Sequence, residues 1–377
     1  MKRYLDGQVR QDLLKKMLVL TGPRQVGKTT LSRQLVDELP NAQYLNYDVA
    51  AHRAVMMAQS WRMSAPLLVL DEIHKMRDWK TWLKGVVDGR APGQQLLVTG
   101  SARMDTFRQS GESLAGRYFR LRLHPLSVRE WSEQAQASPQ VALTHLMERG
   151  GFPEPALAQT NEDAQRWRND YFAGLVREDV LEFSRLQEVT SMRLFAEMLR
   201  SRIGSPLSLA SLARDLNLSQ VTLAKYLDIL QALFIVFVVR PWHRNIARAT
   251  LQAPKVYFYD TGLVRGDDGI RFENLVACHL LKNVQWQQDT RGQAVDLHYI
   301  RTKDDAEVDF CLSEGDTLTH LVACKLSDVK PHRALARFAD QWPQAQAIQL
   351  VRECKAEADV GRVQIRDAAP WLAALAV

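Results

Sequence analysis

Short blocks of uninterrupted apolar residues punctuate the first third of the chain, at 17–20, 67–70 and 96–98, and each gives way at once to polar or glycine-rich sequence. Continuous apolar runs of this length predict strands buried on both faces, as in a parallel sheet, whereas a strand with one wet face alternates. Residues 43–48 do alternate, which predicts an edge strand. The amphipathic stretch 31–39 predicts a helix, so the segment that begins at 17 reads as strand, loop, helix. From 125 to 202 the apolar positions, among them Trp131, Leu143, Leu146, Trp167, Tyr171, Phe172, Leu175 and Val176, are spaced to cover the core face of helices. Glycines and prolines at 150–155 interrupt them with a fixed turn.

Residues 208–216, the tight turn 217–219 and residues 221–233 have helix-turn-helix spacing. Two strand-like segments, 234–239 and 256–259, follow as the hairpin of a winged version. The greasiest run, 232–239, is far shorter than the roughly 20 residues a membrane helix needs and reads as a buried strand. Beyond about 266 the pattern opens on an amphipathic helix at 271–276 and turns strand-like at 294–301, 307–311 and 320–325.

A length of 377 residues suits two or three domains, and 46% hydrophobic with 24% charged residues is a globular composition. The net charge of +6 favours an anionic partner such as nucleic acid. The N-terminus lacks the apolar core and cleavage site of a secretory signal, and the four cysteines are far apart without metal-ligand spacing. Both features lead to the expectation of a cytoplasmic protein with reduced thiols and no membrane association.

The first loop carries the sharpest chemistry. Gly22-Pro23-Arg24-Gln25-Val26-Gly27-Lys28-Thr29-Thr30 fits GxxxxGK[ST], in which glycines let the backbone curl around phosphate at a helix N-terminus. Lys28 is placed to neutralise the β and γ phosphates of ATP, and the Thr29 hydroxyl to ligate Mg; Thr30 is its neighbour. The second apolar block ends in Asp71-Glu72, which assigns Asp71 to Mg, held through water, and Glu72 to the attacking water as general base, a capped strand end being the alternative. At the third block, Thr99 or Ser101 is positioned to sense the γ-phosphate, with an N-cap as the alternative role of Ser101. Arg117, after Gly116, is the arginine chosen to act in trans on a neighbouring subunit's nucleotide, which would require a homo-oligomer; a plain surface arginine is the alternative.

Between Asp228 and Asp260 no acidic residue occurs, and Lys225, Arg240, Arg244, Arg248 and Lys255 are candidates for DNA phosphate contact, with Ser219, Gln220 and Thr222 exposed on the second helix of the pair. A helix-turn-helix used for packing or protein contact is the competing reading. Further on, Glu273, Asp309 and Lys325 occupy three positions of the helix carboxylate and D…(D/E)xK metal site of restriction-type nucleases. The fourth falls on Ala323, which cannot ligate a metal, so the expectation is a degenerate site in a retained fold.

Taken with the segments 70–75, 99–101, 114–117, 150–155, 259–262 and 273–274, these residues resemble, over nearly the whole chain, a prokaryotic family of AAA-type P-loop ATPases with a winged-helix middle and a C-terminal PD-(D/E)XK domain of unknown function. The resemblance implies an α/β fold: a P-loop core of the AAA-like ASCE type over 1–126, a helical lid over 127–205, a winged helix-turn-helix over 206–262 and a restriction-endonuclease-like domain, catalytically inactive, over 263–377. It also implies ATP binding and hydrolysis with Mg, coupled to DNA or to a protein partner. The readings carried forward are an ATP-driven DNA-binding or remodelling protein, a nucleotide-gated protein-interaction switch and, least favoured, an ATP-regulated nuclease.

Overall fold

The computed structural model describes residues 1–100, 114–175, 186–243, 253–327 and 330–377. They form two compact units, Met1–His124 with Ala232–Phe234, and Pro125–Gln231 with Ile235–Val377.

The first unit is built on strands β1 (Met17–Thr21), β2 (Gln43–Asn46), β3 (Leu67–Asp71), β4 (Gln95–Thr99) and β5 (Tyr118–Arg122), in the order β2-β3-β4-β1-β5. All four neighbouring pairs run parallel. Every residue of β1 and β3 is buried, which is why these strands read as unbroken apolar blocks rather than alternating ones. On one face Met17, Val19, Leu68, Leu70, Leu96 and Val98 share a core with Trp79, Leu83 and Val86 of the helix Trp79–Gly89. The register then decides what collects at the carboxyl end of the sheet. Asp71 lies opposite Thr99 of β4 on one side and Asn46 of β2 on the other. Because side chains in register share a face, three polar groups meet in a row beside the loop that follows β1.

The second unit begins with helices Val128–Ala135, Pro139–Arg149, Pro153–Ala156, Asn161–Gly174 and Leu186–Leu199, followed by the pair Leu209–Leu216 and Gln220–Ala232. Asn217 takes the left-handed conformation (φ 52°) that ends the first helix of the pair and makes the tight turn. The expected strand at 232–239 begins later: the helix continues to Ala232, Phe234 turns at φ 54°, and β6 runs Val236–Pro241. It pairs antiparallel with β7 (Lys255–Phe258).

That hairpin is not a free wing. β6 also pairs in parallel, through Arg240 and Pro241, with β8 (Val295–Arg301). With β9 (Glu307–Glu314), β10 (Thr317–Lys325), β11 (Gln346–Val351), β12 (Ala358–Val360) and β13 (Val363–Asp367), it completes an eight-stranded mixed sheet in the order β12-β13-β11-β10-β9-β8-β6-β7. One face of that sheet packs Leu321, Ala323 and Ala347 against Leu335 and Phe338 of the helix Arg333–Gln341.

Two of the sequence motifs turn out to be architectural. Gly150, at φ 71°, sits so close to Asp260 that a Cβ would fall within 1.7 Å of its Oδ1, and Asp260 caps Gly262 N at 3.0 Å beside the Arg168 guanidinium. Asn274, buried on the helix Asp268–Arg291, brackets the Phe258 backbone, accepting from its N–H at 2.9 Å and donating to its carbonyl at 3.0 Å. Glu273 is thereby fixed beside β7.

Candidate functional site

The loop after β1 curls because Gly22 adopts φ 141° and passes so near Leu123 that a Cβ would stand 2.3 Å from its carbonyl oxygen; no other residue fits there. Gly27, at φ 103°, then caps the helix Lys28–Glu38, so the loop runs directly into a helix N-terminus. Pro23 and Val26 are buried, Arg24 is half-buried and Gln25 is exposed at φ 59°. The Lys28 ammonium donates to the Gly22 and Pro23 carbonyls at 2.9 and 2.7 Å, which holds it at the cradle. Thr30, one residue past Thr29, is exposed.

Asp71 is 1% exposed yet fully partnered. Its Oδ2 accepts from Thr29 Oγ1 at 3.0 Å, from Asn46 Nδ2 at 3.3 Å and from the Tyr44 hydroxyl, while its Oδ1 accepts from Thr99 Oγ1. Burial and then the Asp71 carboxylate raise the Tyr44 phenol above its ordinary value, so it stays a proton donor. Thr99 therefore orients Asp71 directly, a role beyond the sensing expected of it. Ser101 lies outside the described residues.

Glu72 follows in the left-handed region (φ 59°), and its N–H donates to the Thr99 carbonyl at 3.2 Å. For a non-glycine residue this conformation is uncommon and turns the side chain away from the path of the strand. Burial, and then the neighbouring Asp71, raise the Glu72 carboxyl above the ordinary carboxylate range, against the pull of Lys75 and Lys28. Lys75 Nζ stands 3.4 Å from Glu72 Oε2 and 2.6 Å from Asp48 Oδ2, and His74 Nε2 stands 3.7 Å from the same Glu72 oxygen. The loop Gly22–Thr29, Asp71, Glu72 and Thr99 are thus assembled at one end of one sheet.

Arg117 is held by Asp88 of its own chain, with Nε 2.9 Å from Oδ1, and is half-buried. A trans role would require that pair to open.

Some positioning residues escaped sequence reasoning. Tyr44 and Asn46 were visible only as alternating residues of an edge strand, although two polar groups two residues apart on such a strand do share a face. Arg3 gave no signal at all. It is 6% exposed, and its guanidinium donates to the Val26 carbonyl at 2.8 Å and to the His124 carbonyl at 2.5 Å, tying the loop to the end of β5. Arg3→Ala is expected to leave those buried carbonyls unpaired and lower stability by about 1–3 kcal/mol, measured by denaturant unfolding, with a parallel loss of nucleotide affinity.

In the second unit Glu273, Asp309 and Lys325 line one cleft of about 460 Å³, together with Asp267, Phe272 and Cys324. Lys255, expected to meet DNA, is a correction: its side chain is 0% exposed and ion-paired with Glu307 at 2.6 Å and Glu273 at 3.4 Å. A charge neutralised inside the protein presents nothing to phosphate. Burial alone would strip its proton, but the carboxylates of Glu273, Asp309 and Glu307 outweigh that and hold the ammonium charged. Burial, and then Asp309, push the Glu273 carboxyl up to about 7, with Lys255 and a 2.7 Å hydrogen bond from the Tyr257 hydroxyl acting the other way. Of the other basic candidates, Lys225 and Arg240 are exposed, and Arg244 and Arg248 lie outside the described residues.

Residues 14–132 match the family described as an AAA domain, in keeping with the parallel strand order and the GxxxxGK[ST] loop of the first unit. Residues 140–271 and 268–371 match two different domains of unknown function. An uncharacterised protein of Mycobacterium tuberculosis is 31% identical over 300 residues; the match takes in 78% of this chain but 66% of that protein, just under two thirds of its length. An uncharacterised protein of Haemophilus influenzae is 22% identical over 337 residues, covering 80% of this chain and 81% of its own. Among solved structures, a Walker-type ATPase of Pyrococcus abyssi aligns with a TM-score of 0.44 at 13% identity, covering 68% of this chain and 93% of its own. The RuvB Holliday junction branch migration motor of Thermotoga maritima aligns with a TM-score of 0.30 at 19% identity, covering 61% and 84%. Among the described residues no helix is long and apolar enough to cross a membrane.

Proposed function

We propose that this protein binds and hydrolyses ATP and couples turnover to DNA binding or remodelling. The observation that carries the ATPase reading is the convergence of Lys28, Thr29, Asp71, Glu72 and Thr99 through the contacts from Thr29 and Thr99 to Asp71. Thr29 and Asp71 offer hard oxygens 3.0 Å apart and would hold Mg, which when bound neutralises charge on the β and γ phosphate oxygens. The loop amides and Lys28 bind the triphosphate. Glu72 orients a water and takes its proton as the water oxygen bonds to the γ-phosphorus and the bridging P–O bond breaks, its electrons leaving on ADP. The Lys75 contact competes for the same carboxylate, so Glu72 acts once that contact loosens.

The DNA reading is supported by the helix pair Leu209–Leu216 and Gln220–Ala232, by exposed Lys225 and Arg240, and by the net charge of +6. On this reading residues 127–205 are a helical lid, residues 206–262, the helix pair with its hairpin, are a winged helix, and residues 263–377 are a restriction-endonuclease-like domain that binds rather than cuts. Its test is ATP hydrolysis with and without single-stranded, duplex and branched DNA. Stimulation is expected, with DNA binding that falls by orders of magnitude between about 50 and 200 mM salt. Protein that shows neither is not a DNA-coupled ATPase.

A specific observation favours a second reading, a nucleotide-gated switch for a protein partner. Val221 on the second helix of the pair is 68% exposed, and burial of Lys255 removes one cation from the expected basic surface. This reading predicts partner recovery that differs between ATP and ADP and is indifferent to nuclease treatment.

A further inference from the structure

We propose that the acidic centre of the C-terminal cleft is neutralised by the Lys255 ammonium in the place of a divalent cation, so that the cleft works without a metal. The inference rests on the likeness of Glu273, Asp309 and Lys325 to a nuclease metal site and is independent of ATP turnover.

The residues as they stand do not fit a metal, on three grounds of which the Lys255 ammonium is the decisive one. The first is occupancy. Lys255 enters from β7 with its side chain 0% exposed, and Nζ lies 2.6 Å from Glu307 Oε1 and 3.4 Å from Glu273 Oε1. It also stands 5.3 Å from the centre of the Tyr299 ring, a second stabilising contact for a cation. A buried ammonium at this spot repels a divalent ion directly.

The second ground is the direction of the remaining lone pairs. Glu273 Oε1 already accepts from the Tyr257 hydroxyl at 2.7 Å as well as from Lys255, and Asp309 Oδ2 accepts from the Cys324 N–H at 2.8 Å. Glu307 Oε2 is taken by Arg301 at 3.1 Å. Mg asks for a near-octahedral shell of oxygens at about 2.0–2.1 Å, and Lys255 holds two of the oxygens that could otherwise join it, Glu273 Oε1 and Glu307 Oε1.

The third ground is Ala323. It is 1% exposed and packed in the apolar cluster with Leu335 and Phe338, so its small size is set by packing beneath the helix Arg333–Gln341. A carboxylate there would be desolvated without a partner. Charge balance closes the case. Lys255 and Arg301 engage Glu273 and Glu307, and Lys325 and Asp309 line the same cleft. Of these cations Lys255 is the one buried between Glu273 and Glu307, and it neutralises charge that a divalent ion would otherwise meet.

The test is Mn²⁺ binding to the full chain without nucleotide, read by the electron paramagnetic resonance of free Mn²⁺. Wild type and Asp309→Asn are expected to bind alike, because no Mn²⁺ sits at Asp309. Lys255→Met is expected to gain a Mn²⁺ site at least ten-fold tighter than any in wild type, absent again from the Lys255→Met, Asp309→Asn double variant. Wild-type Mn²⁺ binding that Asp309→Asn abolishes overturns the proposal, as does a folded Lys255→Met variant that gains no site. Should Lys255→Met fail to fold, Lys255→Gln takes its place in the same comparison, and the same two outcomes overturn the proposal.

Discussion

Glu72→Gln is expected to lower ATP turnover by about 10² to 10⁴ fold while ATP affinity stays within a few fold of wild type. The amide keeps the size and the left-handed backbone of Glu72 but cannot take a proton from water. The site's other contacts, from Thr29, Tyr44, Asn46 and Thr99, all fall on Asp71 and are untouched. Phosphate release and equilibrium nucleotide binding measure the two quantities separately. Normal turnover in the variant would remove Glu72 from the mechanism. The wild-type pH profile offers a second check. Because burial and Asp71 raise the Glu72 carboxyl, its base form is lost as pH falls through a value above the ordinary carboxylate range, so the acid limb of kcat should lie at higher pH than a solvated glutamate would give.

Lys28→Ala is expected to act on binding instead. The ammonium is 7% exposed and sits at a cradle whose other donors are neutral amides. Truncating one partner of a buried, hydrogen-bonded charge pair costs roughly 2–5 kcal/mol, which is about 30-fold or more in Kd. Calorimetric titration with ATP and with ADP measures it. The loss should be larger for ATP, because only ATP offers the γ-phosphate. An equal loss for the two nucleotides would mean that Lys28 reads the β-phosphate alone.

Much of the candidate site's local geometry was legible because its signals are local. The turn at Gly22, the cap at Gly27 and the apolar block before Asp71 are each encoded within a few residues, and strands buried on both faces announce themselves without alternation. What stayed hidden depends on register and long-range packing. Tyr44 and Asn46 matter because β2 lies beside β3 with Asn46 opposite Asp71, a fact that no window of sequence contains. Arg3 meets His124 only after the whole unit has folded. Lys255 misled for the same reason. A lysine in a stretch without acids reads as exposed, and its partners Glu273 and Glu307 arrive from a helix and a strand much later in the chain. Phe234 shows a smaller version of the effect, since an apolar run says nothing about where a helix ends and a strand starts.

The pairing of Arg240 and Pro241 with β8 bears on how this chain can be divided. An expression clone starting at 263 would strip β8 of its outer neighbour and bare a row of amides and carbonyls to the next copy's strand, an invitation to filaments or precipitate. It would also delete Lys255 and Tyr257 and leave Glu273 in the interior without the groups that now satisfy it. The hairpin and the terminal sheet are therefore to be cloned, purified and swapped as one piece.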